Sequence, residues 1–250
     1  MSGHSHFANI KNQKGLADAK RGQVFSKLAR EIIVAVRQGG PNPDANFRLR
    51  LAIQKGRDVD MPTENIQRAI KRGSGDTEGA VLQEMVLEGY GPNGVAIMIQ
   101  ALSDNRNRTI QEVRNVFTRG GGNMAASGAV SWLFDSRGVI SLQPGNIDKD
   151  EVALAAIDNG ADDVKVEDGY VEIYTKPEDM EKVRKALEGK NIPINASEVT
   201  LVPKTTVELT DEKSAGQALR LLDKLEELDD VQAVTSNANF PDEILEKIKV

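Results

Sequence analysis

The chain contains no cysteine among its 250 residues, and aromatic residues make up only 4% of it. The absence of cysteine excludes disulfides, thiolate catalysis and cysteine-ligated zinc sites, and it fits a reducing compartment. The opening residues MSGHSHFANIKNQKG hold no apolar core of the kind that a signal peptide needs. No stretch approaches the roughly 20 apolar residues of a membrane span. We therefore expect a cytoplasmic protein with no membrane partner.

Charge is divided unevenly along the chain. Residues 1–75 carry 14 Lys and Arg against 6 Asp and Glu, whereas residues 76–250 carry 18 against 32. The whole chain has a net charge of −6 and a pI near 5.2, which hides the basic segment. A cationic segment on an anionic body is typical of proteins that bind polyanions. A solvated helical face is the alternative interpretation.

Three helices are predicted in the basic segment after a polar arm at residues 1–16. The first spans Ala17–Gln38, with an apolar stripe opposite a basic side, and it ends at Gly39-Gly40. The second begins near Pro43 with Asn42 as N-cap, and the third begins near Pro62. The predicted stripe consists of Val24, Phe25, Leu28, Ile32, Ala35 and Val36.

After residue 78 the pattern alternates between strands and helices. Asn93-Gly94 predicts a hairpin turn, and four strands with two helices recur twice, as in split βαβ sheets. The predicted fold class is α+β, with an N-terminal three-helix domain followed by two ferredoxin-like α+β domains, one inserted in the other. The predicted domains are residues 1–77, residues 78–133 plus 205–250, and the inserted residues 134–204.

No motif for catalysis, cofactor binding or metal binding was identified. The run Gly120-Gly121-Gly122 closes a helix and lacks the Lys and Ser/Thr of a phosphate-binding loop. His4 and His6 lie in the arm without cysteines or carboxylates to complete a metal site. The acidic cluster Glu226, Glu227, Asp229 and Asp230 fits a solvated face better than a cation site. The sequence thus predicts a non-enzymatic protein without cofactor, metal or evident small-molecule substrate.

Basic residues of the arm and the first two helices are the candidate nucleic-acid-binding residues, because cations that share a helix face can contact phosphates. Phe7 is the candidate for base stacking in this segment. These contacts would not discriminate between DNA and RNA. The predicted phosphate-binding residues are Lys11, Lys14, Lys20, Arg21, Lys27, Arg30, Arg37, Arg48, Arg50, Lys55 and Arg57.

Several ordered motifs resemble the YebC/PmpR family. They are GHS at 3–5, NIK at 9–11, DAKRG at 18–22, FSKLAREI at 25–32, NFRLRLAI at 46–53, MPTENIQRAIKRGSG at 61–75, EGYGPNGVA at 88–96 and GAVSWLF at 128–134. Where the family's arm usually reads GHSKW, this chain has His6 and Phe7, so one fixed charge and one large ring are missing.

This resemblance implies a cytoplasmic, non-enzymatic protein of three domains. Some family members are described as DNA-binding transcriptional regulators. Others, including a mitochondrial relative, are described as ribosome-associated translation factors. The expected function is therefore a DNA-binding transcriptional regulator, with a translation factor that binds rRNA or tRNA on the ribosome as the alternative. A protein-interaction scaffold is a third possibility, but it leaves the basic segment unexplained.

Overall fold

The computed structural model describes residues 18–75, 82–143, 147–167 and 170–248. Its contacts divide the chain into two compact units, one of residues 134–202 and the other of the remaining residues. The predicted three-domain boundaries, with a helical domain at 1–77 and an insertion at 134–204, stay a prediction.

The first unit begins with three helices. They are α1 (Asp18–Gly39), α2 (Phe47–Asp58) and α3 (Thr63–Ser74). The apolar stripe predicted for α1 is buried at Leu28, Ile32, Ala35 and Val36, and it packs against Leu49, Ala52, Ile53, Ile66 and Ala69 of the other two helices. Burial of this stripe holds the three helices together, since apolar area removed from water is the main stabilising contribution. We call α1–α3 the helical head.

Two local predictions in the head were wrong. The second helix begins at Phe47 and not near Pro43, because the Asn46 side chain accepts a hydrogen bond from the Leu49 N–H and acts as the N-cap. The sequence also predicts that apolar residues on two sides of this helix, Phe47 and Leu51 on one and Leu49, Ala52 and Ile53 on the other, are buried; the Phe47 side chain is instead 38% exposed, with the Arg50 guanidinium 5.7 Å from its ring centroid.

The same unit contains a four-stranded antiparallel sheet. Its elements are β1 (Gln83–Tyr90), β2 (Ala96–Ser103), α4 (Arg106–Arg119) and β3 (Asn123–Ala125). After residue 202 the unit continues with β8 (Val207–Glu208), α7 (Glu212–Glu226), β9 (Val231–Ser236), β10 (Ala238–Asn239) and α8 (Asp242–Lys247). The strand order is β3-β1-β2-β9, and β8 pairs with β10 in a separate ribbon. One core joins both segments, because buried residues of α4 and α7 pack together with those of the sheet.

The predicted hairpin is confirmed between β1 and β2. Asn93 has φ of 59° and Gly94 has φ of 75°, the left-handed conformations for which Asn-Gly is favoured. Gly120 is the C-cap of α4, and Gly121 follows with φ of 77°, so the glycine run ends a helix as predicted.

The second unit consists of β4 (Phe134–Leu142), α5 (Lys149–Asp158), β5 (Asp163–Glu167), β6 (Tyr170–Thr175), α6 (Met180–Gly189) and β7 (Ala196–Pro203). The strand order is β5-β6-β4-β7. This is the order of a split βαβ sheet, in which each helix links strands that are not neighbours. The predicted α+β class, with an N-terminal helical region, is confirmed.

Candidate nucleic-acid interface

The structure places the predicted basic residues in different environments, and some of them lie outside the described residues. Lys11 and Lys14 lie outside the described residues, as do His4, His6 and Phe7. Lys20 lies in the first turn of α1, but its side chain is not among those described. Arg21 is exposed one residue later.

Lys27 and Arg30 contact the C-terminal end of α7, about 200 residues away in the chain. The Lys27 ammonium donates to the Glu226 carbonyl oxygen at 2.5 Å, and the Arg30 guanidinium donates to the Asp229 carbonyl oxygen at 2.5 Å. Gln23, one turn earlier on the same side of α1, donates to the Glu227 carbonyl oxygen at 2.6 Å. The last carbonyls of a helix lack intrahelical partners and carry partial negative charge. The basic side of α1 therefore caps α7.

The Asp230 carboxylate stabilises the contact between α1 and the end of α7. Its side chain accepts hydrogen bonds from the Ser103 and Thr109 hydroxyls at 2.9 and 2.6 Å, and from the Arg108 guanidinium at 2.7 Å. Arg30 lies 3.2 Å from its other oxygen. Burial alone would raise the pKa of Asp230, but these donors, Arg108 foremost, lower it below its usual value. The interpretation of 226–230 as a solvated face is wrong at Asp230, which is only 5% exposed.

Three predicted cations of α2 also have partners in the protein. The Arg48 guanidinium pairs with Glu84 of β1 and lowers the pKa of that carboxyl. Arg50 donates to the Pro43 carbonyl oxygen at 2.9 Å, which fixes the turn before α2. Lys55 lies 3.6 Å from the Glu31 carboxylate. These side chains hold the head together and join it to β1, although ion pairs that remain partly open to solvent, such as Lys55–Glu31, contribute little to stability.

Five cations of the helical head remain exposed and make no hydrogen bond or ion pair within the described parts of the chain. Two of them, Arg37 and Arg57, belong to the predicted set. The other three, Arg68, Lys71 and Arg72, were missed, and they share one face of α3 because they are three and four residues apart. We call these three residues the α3 basic face. The spacing of apolar Ile66 and Ala69 was the sequence signal for this face, but Lys71 and Arg72 also lie in the last turn of α3, where the helix dipole alone favours cations.

Arg37 and Arg72 line one cleft of about 610 Å³, together with Arg30 and Arg108. Their proximity depends on Gly73, where a Cβ would lie 2.7 Å from the Val36 Cβ and 2.9 Å from the Ile33 carbonyl oxygen. Only glycine permits α3 to approach α1 this closely. Acidic side chains also line this cleft; two of them, Asp229 and Asp230, are bound by Gln23, Arg30 and Arg108.

The arrangement is suited to electrostatic binding. Arginine and lysine side chains that lack a protein partner can bind phosphate oxygens. Within the described ranges, no three His, Asp or Glu side chains are grouped so that they could hold a metal ion. None of the helices in those ranges is both long enough and apolar enough to cross a membrane.

Comparison with known proteins places the chain in a family. Residues 5–76 match the model described as the TACO1/YebC protein N-terminal domain, and residues 82–238 match the TACO1/YebC second and third domain. The chain belongs to the TACO1/YebC family. The predicted YebC relationship is confirmed, and the two models meet close to the end of the helical head.

Relatives and a solved structure cover nearly the whole chain. A protein from Dehalococcoides mccartyi is 59% identical over 247 residues, which are 99% of this chain and 98% of the relative. One from Moorella thermoacetica is 51% identical over 252 residues, covering 100% of both. Both are named "Probable transcriptional regulatory protein". The crystal structure of a conserved hypothetical protein from Aquifex aeolicus, 50% identical, has a TM-score of 0.82 and covers 91% of this chain and 94% of its own.

Proposed function

We propose that this chain is a non-enzymatic, DNA-binding regulator of transcription that acts in the cytoplasm through its basic helical head. Membership of a family whose relatives are named as transcriptional regulatory proteins supports the regulatory role. The observation that carries the proposal is the set of five exposed cations on the head that make no bond within the described residues.

Phosphate is the ligand that fits these cations. Arg37 and the α3 basic face carry four positive charges on neighbouring helices, and Lys11 and Lys14 of the arm precede them in the chain. Each cation that binds a phosphate releases a condensed counterion, so the affinity depends steeply on salt. Contacts to the phosphate backbone position a protein without reading bases. The head therefore supplies affinity, and sequence preference must come from other contacts.

The test is a triple variant, Arg68→Gln with Lys71→Gln and Arg72→Gln, titrated against labelled duplex DNA at several salt concentrations. If all three residues contact phosphate, the slope of log affinity against log salt falls by about 2.7 in magnitude. The loss is the same on unrelated sequences, because backbone contacts carry no base information. Folding is nearly unchanged, since exposed substitutions usually alter stability by less than about 0.5 kcal/mol.

A matched control removes the same charge from the second unit. Lys176, Lys182 and Lys190 are exposed there, and replacing all three by Gln leaves the slope unchanged if the head is the binding surface. Equal slopes for the two triple variants contradict the proposal. Binding curves on duplex DNA and on ribosomes at the same salt concentration separate the transcriptional role from the alternative of a translation factor that binds rRNA or tRNA.

A further inference from the structure

Trp132 is the only tryptophan of the chain, and its side chain is 65% exposed. It lies in a short 3-10 helix, Ser131–Leu133, at the end of the segment that follows β3. A single exposed apolar side chain needs no functional explanation by itself. The contacts that hold Trp132 in a fixed position, however, indicate a functional role for it.

A buried carboxylate fixes the backbone before Trp132. Glu88 of β1 is only 4% exposed, and it accepts hydrogen bonds from the N–H groups of Gly128, Val130 and Ser131 at 2.7, 2.7 and 3.0 Å. Val130 is fully buried between these contacts. Three N–H bonds to one carboxylate and one apolar anchor leave the segment little freedom, so Trp132 is presented on a rigid support.

The indole ring is also held in orientation. Its Nε1–H donates to the Ala129 carbonyl oxygen at 3.0 Å, and the same oxygen accepts from the Tyr90 hydroxyl at 3.1 Å. Since the only polar atom of the ring is bound within the protein, the exposed part of the side chain offers an aromatic surface and no donor. The exposed ammonium of Lys204 donates to the Trp132 carbonyl oxygen at 3.0 Å, which places a cation at the same turn.

We infer that Trp132 is a stacking platform for an unpaired nucleobase, and that this protein binds nucleic acid containing a single-stranded segment. The inference rests on the proposed nucleic-acid-binding function. A preoriented ring loses little conformational entropy when a base stacks on it, and every base has a face that can stack.

The surroundings favour a base over a protein side chain as the occupant. Ala126, Ser127 and Gly128, which precede Trp132 in the chain, are exposed and small, so none of them carries a bulky side chain that could cover the ring. Docking of a protein requires a broader apolar patch. The only other large exposed apolar side chains among the described residues of the first unit are Phe47 and Val86. In a duplex the bases are already stacked on each other, so the platform selects single strands, loops or ends.

The uniqueness of Trp132 allows a direct experiment, because all intrinsic tryptophan fluorescence of the full chain comes from this residue. The protein is titrated with a single-stranded oligonucleotide and with the duplex of the same sequence. Fluorescence anisotropy of a labelled strand reports binding, and tryptophan emission reports stacking. We expect emission to be quenched by the single strand, with the same midpoint as the anisotropy, and to be unchanged by the duplex.

Variants supply the second arm of the experiment. Trp132→Ala should weaken binding of the single strand about 5- to 150-fold, the range that loss of one base–aromatic stack predicts. Trp132→Phe keeps a ring and should retain most of the affinity, which excludes misfolding as the cause. Leu154→Ala, a matched loss of an exposed apolar side chain in the second unit, should bind as the unsubstituted protein does.

The outcomes separate this inference from the function on which it rests. If anisotropy detects binding but the emission is unchanged and Trp132→Ala binds normally, the stacking platform is overturned and the basic head stands. If the duplex quenches the emission as strongly as the single strand, the selection for unpaired bases is overturned. If neither nucleic acid binds at physiological salt, the proposed function itself is overturned.

Discussion

At the scale of single residues, Glu88 shows how a buried carboxylate can fix a backbone segment by accepting hydrogen bonds from its N–H groups. Burial raises its pKa, but hydrogen bonds from the N–H groups of Gly128, Val130 and Ser131 together lower it by more, so the pKa lies below its ordinary value of 4.5. A carboxyl whose pKa is lower in the folded than in the unfolded state contributes stability above the unfolded pKa. That contribution is lost as the pH falls through the folded pKa.

Glu88→Gln tests this contribution. The amide keeps one acceptor oxygen but replaces the other with an NH₂ group, so buried N–H donors lose their acceptor at a cost of about 1–3 kcal/mol. We expect a lower melting temperature at pH 7 and a smaller difference from the unsubstituted protein near pH 3. Glu178→Gln, at an exposed position, serves as the control. A difference that does not shrink in acid would contradict the assignment of the effect to the ionised carboxylate.

At the scale of secondary-structure elements, the basic side of α1 caps the C-terminal end of α7. Lys27 and Arg30 are three residues apart; Lys27 donates to the carbonyl oxygen of Glu226, the last residue of α7, and Arg30 donates to that of Asp229, three residues beyond it. Val34, which the helical wheel places among the basic residues, is only 4% exposed, so this side of α1 is covered. These cations act in tertiary packing, whereas a helical wheel assigns them to solvent.

Replacing Lys27 and Arg30 together by Gln should therefore lower the free energy of unfolding by about 1–3 kcal/mol, because hydrogen bonds that involve charged groups contribute about that much. Urea denaturation measures the loss. Arg37→Gln and Arg57→Gln together remove the same charge from side chains without a described partner, and should change stability by less than about 0.5 kcal/mol. Equal stability of the two double variants would show that the contact with α7 contributes nothing.

The approach of α3 to α1 supports a second prediction at this scale. Gly73→Ala should destabilise the head although alanine favours helices by about 1 kcal/mol, because the added Cβ meets the Val36 Cβ at 2.7 Å. Gly56→Ala is the matched control in α2. There the nearest atoms lie 3.5 Å away, at ordinary contact distance, so this variant should be as stable as the unsubstituted protein or more stable. Thermal unfolding of the two variants in parallel checks the opposite signs.

At the scale of the whole molecule, residues 134–202 form a compact unit of their own. The segments before and after them form a second unit together. The Lys204 N–H donates to the Leu133 carbonyl oxygen at 2.8 Å, so the two ends of the surrounding unit already meet. Strand β9 pairs with β2, and α7 shares the core with α4, so the segments before residue 134 and after residue 202 pack into one unit.

Replacing residues 134–202 by a linker of about four Gly and Ser residues should leave a protein that still unfolds cooperatively, because such a linker easily spans adjacent ends. Circular dichroism and urea denaturation check the fold, and the salt dependence of DNA binding checks the helical head. Loss of cooperative unfolding would contradict the independence of the surrounding unit.

The sequence by itself determined the features that depend on neighbours in the chain. Apolar spacing predicted the buried stripe of α1, Asn93-Gly94 predicted the hairpin because both residues tolerate positive φ, and the glycine run marked the end of α4. The start of α2 was misplaced, because Asn42 and Asn46 are both acceptable N-caps. Only the capping bond to Leu49 distinguishes them.

The tertiary structure alone decided which cations of the helical head have protein partners. Lys27 and Arg30 resemble Arg37 on a helical wheel, yet their partners lie in α7 and beyond it, nearly 200 residues away. The rigid exposure of Trp132 likewise depends on Glu88, more than 40 residues earlier. Local propensity reflects interactions within a few residues, whereas the partner of a charged or aromatic side chain is set by packing between distant segments. Composition therefore located the basic segment, and only the fold separated the cations that bind the protein from those that remain exposed.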